Sequence, residues 1–386
     1  MKPGATIALL SCCALSACSV FDPSLLDRAD VGPDIQSEAD VPTAPDIPDV
    51  PFTPDANDQC NGMGYQIPPR PDGANDGDMS MILGLHQLLL NQDGDRWQDI
   101  GRNLDGLCSD PPVPEVECQP REEGAMPEID GNGGIDNVFG GSFFSTVGIV
   151  TPELNETAVS GAENGTGVVV LLIDGYNGEL DDPRVQVGVI QSVYGFAGSA
   201  GDTEPPAHDI IDFDPFMPGT MDPMTPPMWD GNDWLFPRDD SYAADGSPRV
   251  LTIDAYVSGG VLVVDLEDNV PFLFASSVIG LRVQLTDAMI IAKLHPSLPD
   301  AGEVQLSGRW KIVELLAAAR TLGICDGTTN YTILTRALDR VADVLAAPSE
   351  LNDLECDALS VGVQWISTPV RLAEPTPAPL PPDGCM

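Results

Sequence analysis

Between Asp130 and Gly141 the chain reads DGNGGIDNVFGG, which places oxygen-bearing side chains at the first, third and seventh positions: Asp130, Asn132 and Asp136. Calcium binds through several oxygen ligands, and a calcium loop of the EF-hand type starts with a similar spacing. The register then departs from that pattern. Ile135 stands where the sharp turn needs glycine, and Gly141 stands where a bidentate glutamate closes the shell. The stretch therefore reads as a structured turn first. A structural calcium site on Asp130, Asn132 and Asp136 is the second reading, and the rim of an active site the last. Related clusters at 72–78, 91–95 and 174–182 suit Asx-turns between strands equally well.

A second candidate lies between Asp202 and Pro248. This insert carries seven prolines between Pro205 and Pro227, four methionines, and the tryptophans Trp229 and Trp234. Aromatic rings in a long polar loop can stack on sugar rings or receive a peptide, so Trp229 and Trp234 are the candidate ligand-binding residues. The plainer reading is that the same side chains pin the loop to the body of the protein. Nucleophile elbows, HExxH zinc motifs and phosphate-binding loops do not occur. His86, His208 and His295 lack partner spacing, although His208 has Asp209 and Asp212 beside it. With sixty acidic residues, no carboxylate pair can be singled out for glycosidase chemistry. No catalytic residue is assigned; enzymatic activity is left open, with the balance of the sequence against it.

The N-terminus carries clearer chemistry. Lys2 precedes an apolar stretch from Ala5 to Ala17, too short to span a bilayer but right for a secretory signal. It closes on Leu15-Ser16-Ala17-Cys18, which resembles the bacterial lipobox; Cys18 would then be acylated and become the mature N-terminus. Residues 1–18 are accordingly the lipoprotein signal peptide, and the partner this implies is a lipid bilayer. Two or three buried acyl chains, at about 0.8 kcal/mol per methylene, hold far more firmly than one. Ser19 rather than aspartate follows the cysteine, which by resemblance to sorted lipoproteins favours the outer membrane or cell surface. Six cysteines remain in the mature chain: Cys60, Cys108, Cys118, Cys325, Cys356 and Cys385. An even number in an exported protein implies disulfides, and the absence of CxxC argues against metal ligation by them. The favoured pairing joins Cys108 to Cys118 and Cys325 to Cys356 as local loops, with Cys60 to Cys385 closing the domain.

Residues 19–59 are dominated by Asp, Pro and small residues and should form a solvated, extended tether. At ~3.1 Å per residue in polyproline geometry, it would reach on the order of 100 Å from the bilayer. The formal net charge of −43 excludes nucleic acid and anionic lipid surfaces as partners, since phosphates require Lys and Arg. Aspartate outnumbers glutamate 43 to 17, and only Lys2, Lys293 and Lys311 are lysines. Two explanations stand side by side: adaptation to salty surroundings, where screening tames self-repulsion, and divalent-cation binding.

Positioning any site falls to residues 60–386. Valine- and isoleucine-rich runs bounded by Gly, Asp or Pro read as strands at 167–174, 185–193, 249–257, 260–266, 278–285, 288–294 and 359–366. Ser258-Gly259-Gly260 supplies a hairpin turn, and 79–90 leans to strand. Short strands without intervening helices predict a mainly β fold, an antiparallel β-sandwich-like domain. Helices come late, as an insertion over 307–348. The first is capped by Ser307 and stopped by Gly323; the second buries Ile333, Ala337, Leu338, Val341 and Leu345 and ends at Pro348. A Cys325–Cys356 bond would staple this helical pair, worth roughly 3–4 kcal/mol by chain entropy.

Three motifs resemble those of uncharacterised exported lipoproteins of myxobacteria-like bacteria: Trp97 followed by Asn103 to Cys108, then Gly134 to Asn137, then Cys356 to Gly362. The resemblance spans about residues 80–370. It implies export and a shared disulfide-braced fold, and transfers no activity. The expectation is a membrane-anchored exported lipoprotein acting as a structural or interaction module, with a protein or glycan partner. The rival is a calcium-assisted carbohydrate-binding or carbohydrate-active sandwich.

Overall fold

The computed structural model describes residues 67–74, 77–90, 92, 94–109, 116–122, 124–144, 154–205, 225–266, 270–275, 280–349, 353–378 and 384–385. Cys18, the tether, Cys60 and His208 lie outside the described residues. All described residues belong to one compact unit, Asp55–Met386.

Eleven strands are described: β1 Met79–Leu89, β2 Val169–Tyr176, β3 Asp182–Phe196, β4 Trp234–Pro237, β5 Val250–Ser258, β6 Val261–Asp265, β7 Val270–Ala275, β8 Gly280–Lys293, β9 Glu303–Lys311, β10 Ala358–Pro369 and β11 Arg371–Leu372. Eight of them pair antiparallel in the ring β1-β2-β3-β5-β6-β8-β9-β10, and β10 returns to β1. Along this ring each strand is bonded to its neighbour in the chain, so the topology is an up-and-down closed barrel. The expected sandwich is corrected to a barrel. Alternating strands look the same in either architecture; what separates them is the pairing of β1 with β10, nearly three hundred residues apart in sequence.

Long, bulged strands make closure feasible. Bulges raise local twist and curl a sheet, and the register shifts between His86 and Leu89, between Val185 and Val187, and between Thr286 and Met289. Gln87 and Asp287 sit at these points with φ of 49°. The Asp287 bulge corrects the expectation of separate strands at 278–285 and 288–294, which run together as β8. The β5–β6 hairpin forms as read, with Ser258 opposite Val261.

Inward-facing side chains fill the barrel. Leu85, Leu171, Ile173, Leu262, Leu285, Ile290, Leu306 and Trp310 are all buried almost completely and belong to one apolar cluster. An eight-stranded barrel has an interior just wide enough for side chains or one small ligand; here the side chains occupy it. Helix α1, Leu154–Glu163, adds Ala158 and Ala162 to this core. Outside β1–β3 lies a second apolar layer of Val168, Val170, Ile190, Leu235 and Val370, covered by Trp229 and Tyr242.

The late helices are α2, Ile312–Thr321, and α3, Thr329–Val341. Ser307 is not a cap: it is buried in β9, and the strand continues to Lys311 because each of its residues keeps a partner on β10. Helix α3 ends at Val341 rather than at Pro348. Beyond it Val344 pairs with Ala358 and Asp343 accepts from Ser360, so the chain becomes extended. Leu334, Ala337, Leu338 and Val341 form its buried face.

The disulfide pairing also differs from expectation. Cys118 is bonded to Cys356 and Cys325 to Cys385; Cys108 is disulfide-bonded as well. Neither Cys108–Cys118 nor Cys325–Cys356 nor Cys60–Cys385 therefore holds. Cys356 is drawn to Cys118 by short parallel pairing of Gln119 with Glu355, which sets the two Cα atoms 5.1 Å apart. That bond spans 238 residues, so its chain-entropy contribution, about 5.5 kcal/mol, exceeds that of a local staple.

Candidate functional site

The outward faces of β9 and β10 carry Gln305, Ser307 and Arg309, and Ser360 and Gly362, all buried. The described segments 94–109, 116–122 and 124–141, with Gln92 and residues 342–346, cover them in a polar clasp. Arg309 is at its centre, 0 % exposed. Its Nη1 donates to Glu117 Oε2 at 2.7 Å and to the Leu345 carbonyl at 2.8 Å, its Nη2 to the Leu104 carbonyl, and its Nε to Asp287 Oδ2 at 3.3 Å. Arg102 donates to the other oxygen of Asp287 and to its carbonyl. Guanidinium groups suit this role because a planar fork of donors can satisfy several acceptors at once.

The glycine-rich stretch folds into the same clasp. Asp136 Oδ2 accepts the amides of Leu104 at 2.6 Å and Asp105 at 3.3 Å. Asn137 holds β10: its Oδ1 accepts the Gly362 amide at 2.9 Å, while its Nδ2 donates to Gln92 Oε1 at 2.8 Å and to the Trp97 carbonyl. A side chain at Gly362 has no room, since a Cβ there would lie 2.3 Å from the Ile100 carbonyl oxygen. The Val138 amide donates to Ser360 Oγ, which in turn donates to Asp343 Oδ2. Phe139–Phe143 then forms one π-helical turn.

The three candidate calcium ligands are thus engaged with the protein itself. Asp130 Oδ2 accepts the Ser109 amide at 2.6 Å, Asn132 Nδ2 donates to Asp99 Oδ1 at 2.8 Å, and Asp136 caps the 104–105 turn. Asp130 and Asp136 do meet, through a side-chain hydrogen bond. Among the described residues no group of three or more His, Cys, Asp or Glu side chains is arranged to hold a metal ion. Burial, then Asp105 and Asp130, raises the Asp136 carboxyl well above its ordinary range. Burial, with the Asp105 charge behind it, pushes Asp130 up to about 6 against the Ser109 amide. Burial lifts Asp343 to about 8 even though Ser360 donates to it.

Beside the clasp opens a cleft of about 800 Å³ lined by Trp97, Glu122, Gly124, Ala125, Met126, Pro127, Glu128, Ile129, Val138, Gly141, Ser142 and Arg340. Met126 and Ile129 are 79 % and 55 % exposed on its wall. Ser142 Oγ donates to Glu128 Oε2 at 2.6 Å. The tail of DGNGGIDNVFGG forms part of this surface, through Val138 and Gly141. Sequence reasoning noted Trp97 only as a motif residue and passed over Met126 and Ile129. Their signal is an apolar pair in the acidic stretch REEGAMPEID.

Trp229 and Trp234 are elsewhere. Trp229 stacks on His86 with ring centroids 4.3 Å apart and planes within 2°, and its Nε1 donates to the Glu163 carbonyl. His86 Nε2 lies 2.9 Å from Thr368 Oγ1, and burial lowers the imidazole pKa. Trp234 is 7 % exposed within β4, under the Arg371 guanidinium. Neither ring lines the cleft. His295 is half-buried and its Nδ1 lies 2.7 Å from Ser297 Oγ.

No protein-family model matches the chain, and no curated protein or solved structure matches it either.

Proposed function

We propose that the chain is an exported, lipid-anchored, non-enzymatic interaction module, held off the bacterial outer membrane or cell surface by residues 19–59. Acylation at Cys18 is the anchor, and the exposed cleft beside Trp97 is the recognition surface. The observation that carries this reading is the Cys118–Cys356 bond, which crosses 238 residues and belongs in an oxidising compartment. Two further features support it. Membrane-spanning barrels carry an apolar band outside and a polar lumen; this barrel has Leu, Val, Ile and Trp inside, which favours tethering over insertion. The buried carboxyls that stand out electrostatically accept hydrogen bonds from their own chain, a structural rather than catalytic use.

The resemblance to exported lipoproteins fits the same reading. Its three motifs, around Trp97, Ile135 and Ser360, are neighbours in the clasp, so the reading is that they mark a shared way of covering β9 and β10. Growth with labelled palmitate tests the anchor: the wild-type chain incorporates label and Cys18→Ala does not. Equal labelling of both would remove the anchoring claim.

A further inference from the structure

Resting on the cleft as recognition surface, we propose that it binds a neutral saccharide, with a sugar ring against Trp97 and its hydroxyls shared among Glu122, Glu128, Ser142 and Arg340. The volume of about 800 Å³ lies in the range of small-ligand sites and holds a few sugar rings. Its composition has two characters. Trp97 and the exposed Met126 supply apolar surface suited to the C–H face of a pyranose, which stacks on aromatic rings as other flat amphipathic groups do. The remaining groups supply both hydrogen-bonding signs: two carboxylates that accept, a guanidinium that donates, and the Ser142 hydroxyl, which accepts while its own proton bonds Glu128.

Charge narrows the class. Two glutamates against one arginine, in a chain of net charge −43, repel an anionic ligand. Arg340 on the same wall offers donors that a lysine-rich segment, which carries no side-chain acceptor, cannot use. Arg121, nearby in the fold, is paired with Asp339, whereas among the described residues Arg340 has no carboxylate partner, so its donors face the cleft's occupant or water. Vicinal hydroxyls, each donor and acceptor at once, satisfy both signs without a net charge. Trp97 packs against Gly141: a Cβ there would approach its Cδ2 to 3.2 Å, so the glycine lets the ring lie close to the backbone. A platform held this way loses little freedom on binding.

The test uses the purified full-length chain, titrated calorimetrically with neutral tetrasaccharides of glucose, mannose and N-acetylglucosamine. A sialylated oligosaccharide, a uronate tetramer and a tetralysine peptide serve as charged comparators. At least one neutral probe is expected to bind and to change tryptophan fluorescence. Trp97→Ala should weaken binding about tenfold, near 1.4 kcal/mol. Because Trp97→Ala can disturb the clasp, Arg340→Ala and Met126→Ala at exposed positions are measured beside it; each should weaken binding severalfold with an unchanged circular dichroism spectrum. No binding by any neutral probe, equal binding by all three variants, or selective binding of a charged comparator overturns the proposal. Absence of palmitate on the native chain would overturn the anchoring reading alone and leave this titration unaffected.

Discussion

The barrel interior and the polar clasp share the strands β9 and β10 yet are built on opposite rules. Inward, Leu306, Trp310, Leu359, Val361 and Val363 meet only apolar neighbours. Outward, Gln305, Arg309, Ser360 and Gly362 are nearly as buried, but each has a named polar partner in a loop. The interior tolerates local error, because dispersion and apolar burial are non-directional. The clasp does not, because an unpaired buried polar group costs more than its bond contributes. The specificity of this fold therefore lies more in the loops over β9 and β10 than in the barrel they cover.

The largest expected effect tests that contrast. Arg309→Met keeps much of the volume but leaves Glu117 and Asp287 without their shared cation, and should cost about 3–5 kcal/mol. Leu306→Ala in the interior should cost about 2–5 kcal/mol. Urea denaturation of both gives the comparison: a loss below 1 kcal/mol for Arg309→Met would mean that the clasp is not structurally coupled to the barrel. A smaller loss, about 1–3 kcal/mol, is expected for Gly362→Ala, because the Ile100 carbonyl must give way. The diagnostic result is retained barrel circular dichroism with faster amide exchange at Gly140 and Val138.

A third expected effect is a pH slope. Asp130 and Asp343 have folded pKa values of about 6 and about 8, above the ordinary carboxylate value, so the folded state binds more protons than the unfolded state in this range. The stability they contribute is fully present below about pH 4 and is lost as pH rises through 6 and then 8. Denaturation midpoints should therefore fall between pH 5 and pH 8.5, and Asp343→Asn should flatten the upper part of that fall. A rising midpoint over the same window would contradict the protonated clasp.

The interior was legible because its strands are valine- and isoleucine-rich runs bounded by Gly, Asp or Pro. The runs at 167–174, 185–193 and 359–366 became β2, β3 and β10, and Ser258-Gly259-Gly260 made its hairpin. The clasp was illegible to such local reading: a polar residue opposite an apolar one reads as solvent-facing, and Arg309 is among the most buried side chains of the protein. Asp136 was noticed for its oxygens, but its partners, the amides of Leu104 and Asp105, are contacts no spacing rule reaches. Asp287 hid a bulge because its positive φ looks like no local turn signal. Trp97 could have been weighed with Trp229 and Trp234, yet only the folded chain separates the ring on the open cleft from the one stacked on His86 and the one buried in β4.

By itself the order of residues determined the β-rich class, most strand positions, and six cysteines beyond Cys18, because these follow from local composition and counting. Barrel rather than sandwich, Cys118 with Cys356, and which tryptophan borders the cleft were decided only in three dimensions. Each depends on which distant segments approach, and that choice is made by the packing and hydrogen-bond satisfaction of the whole chain.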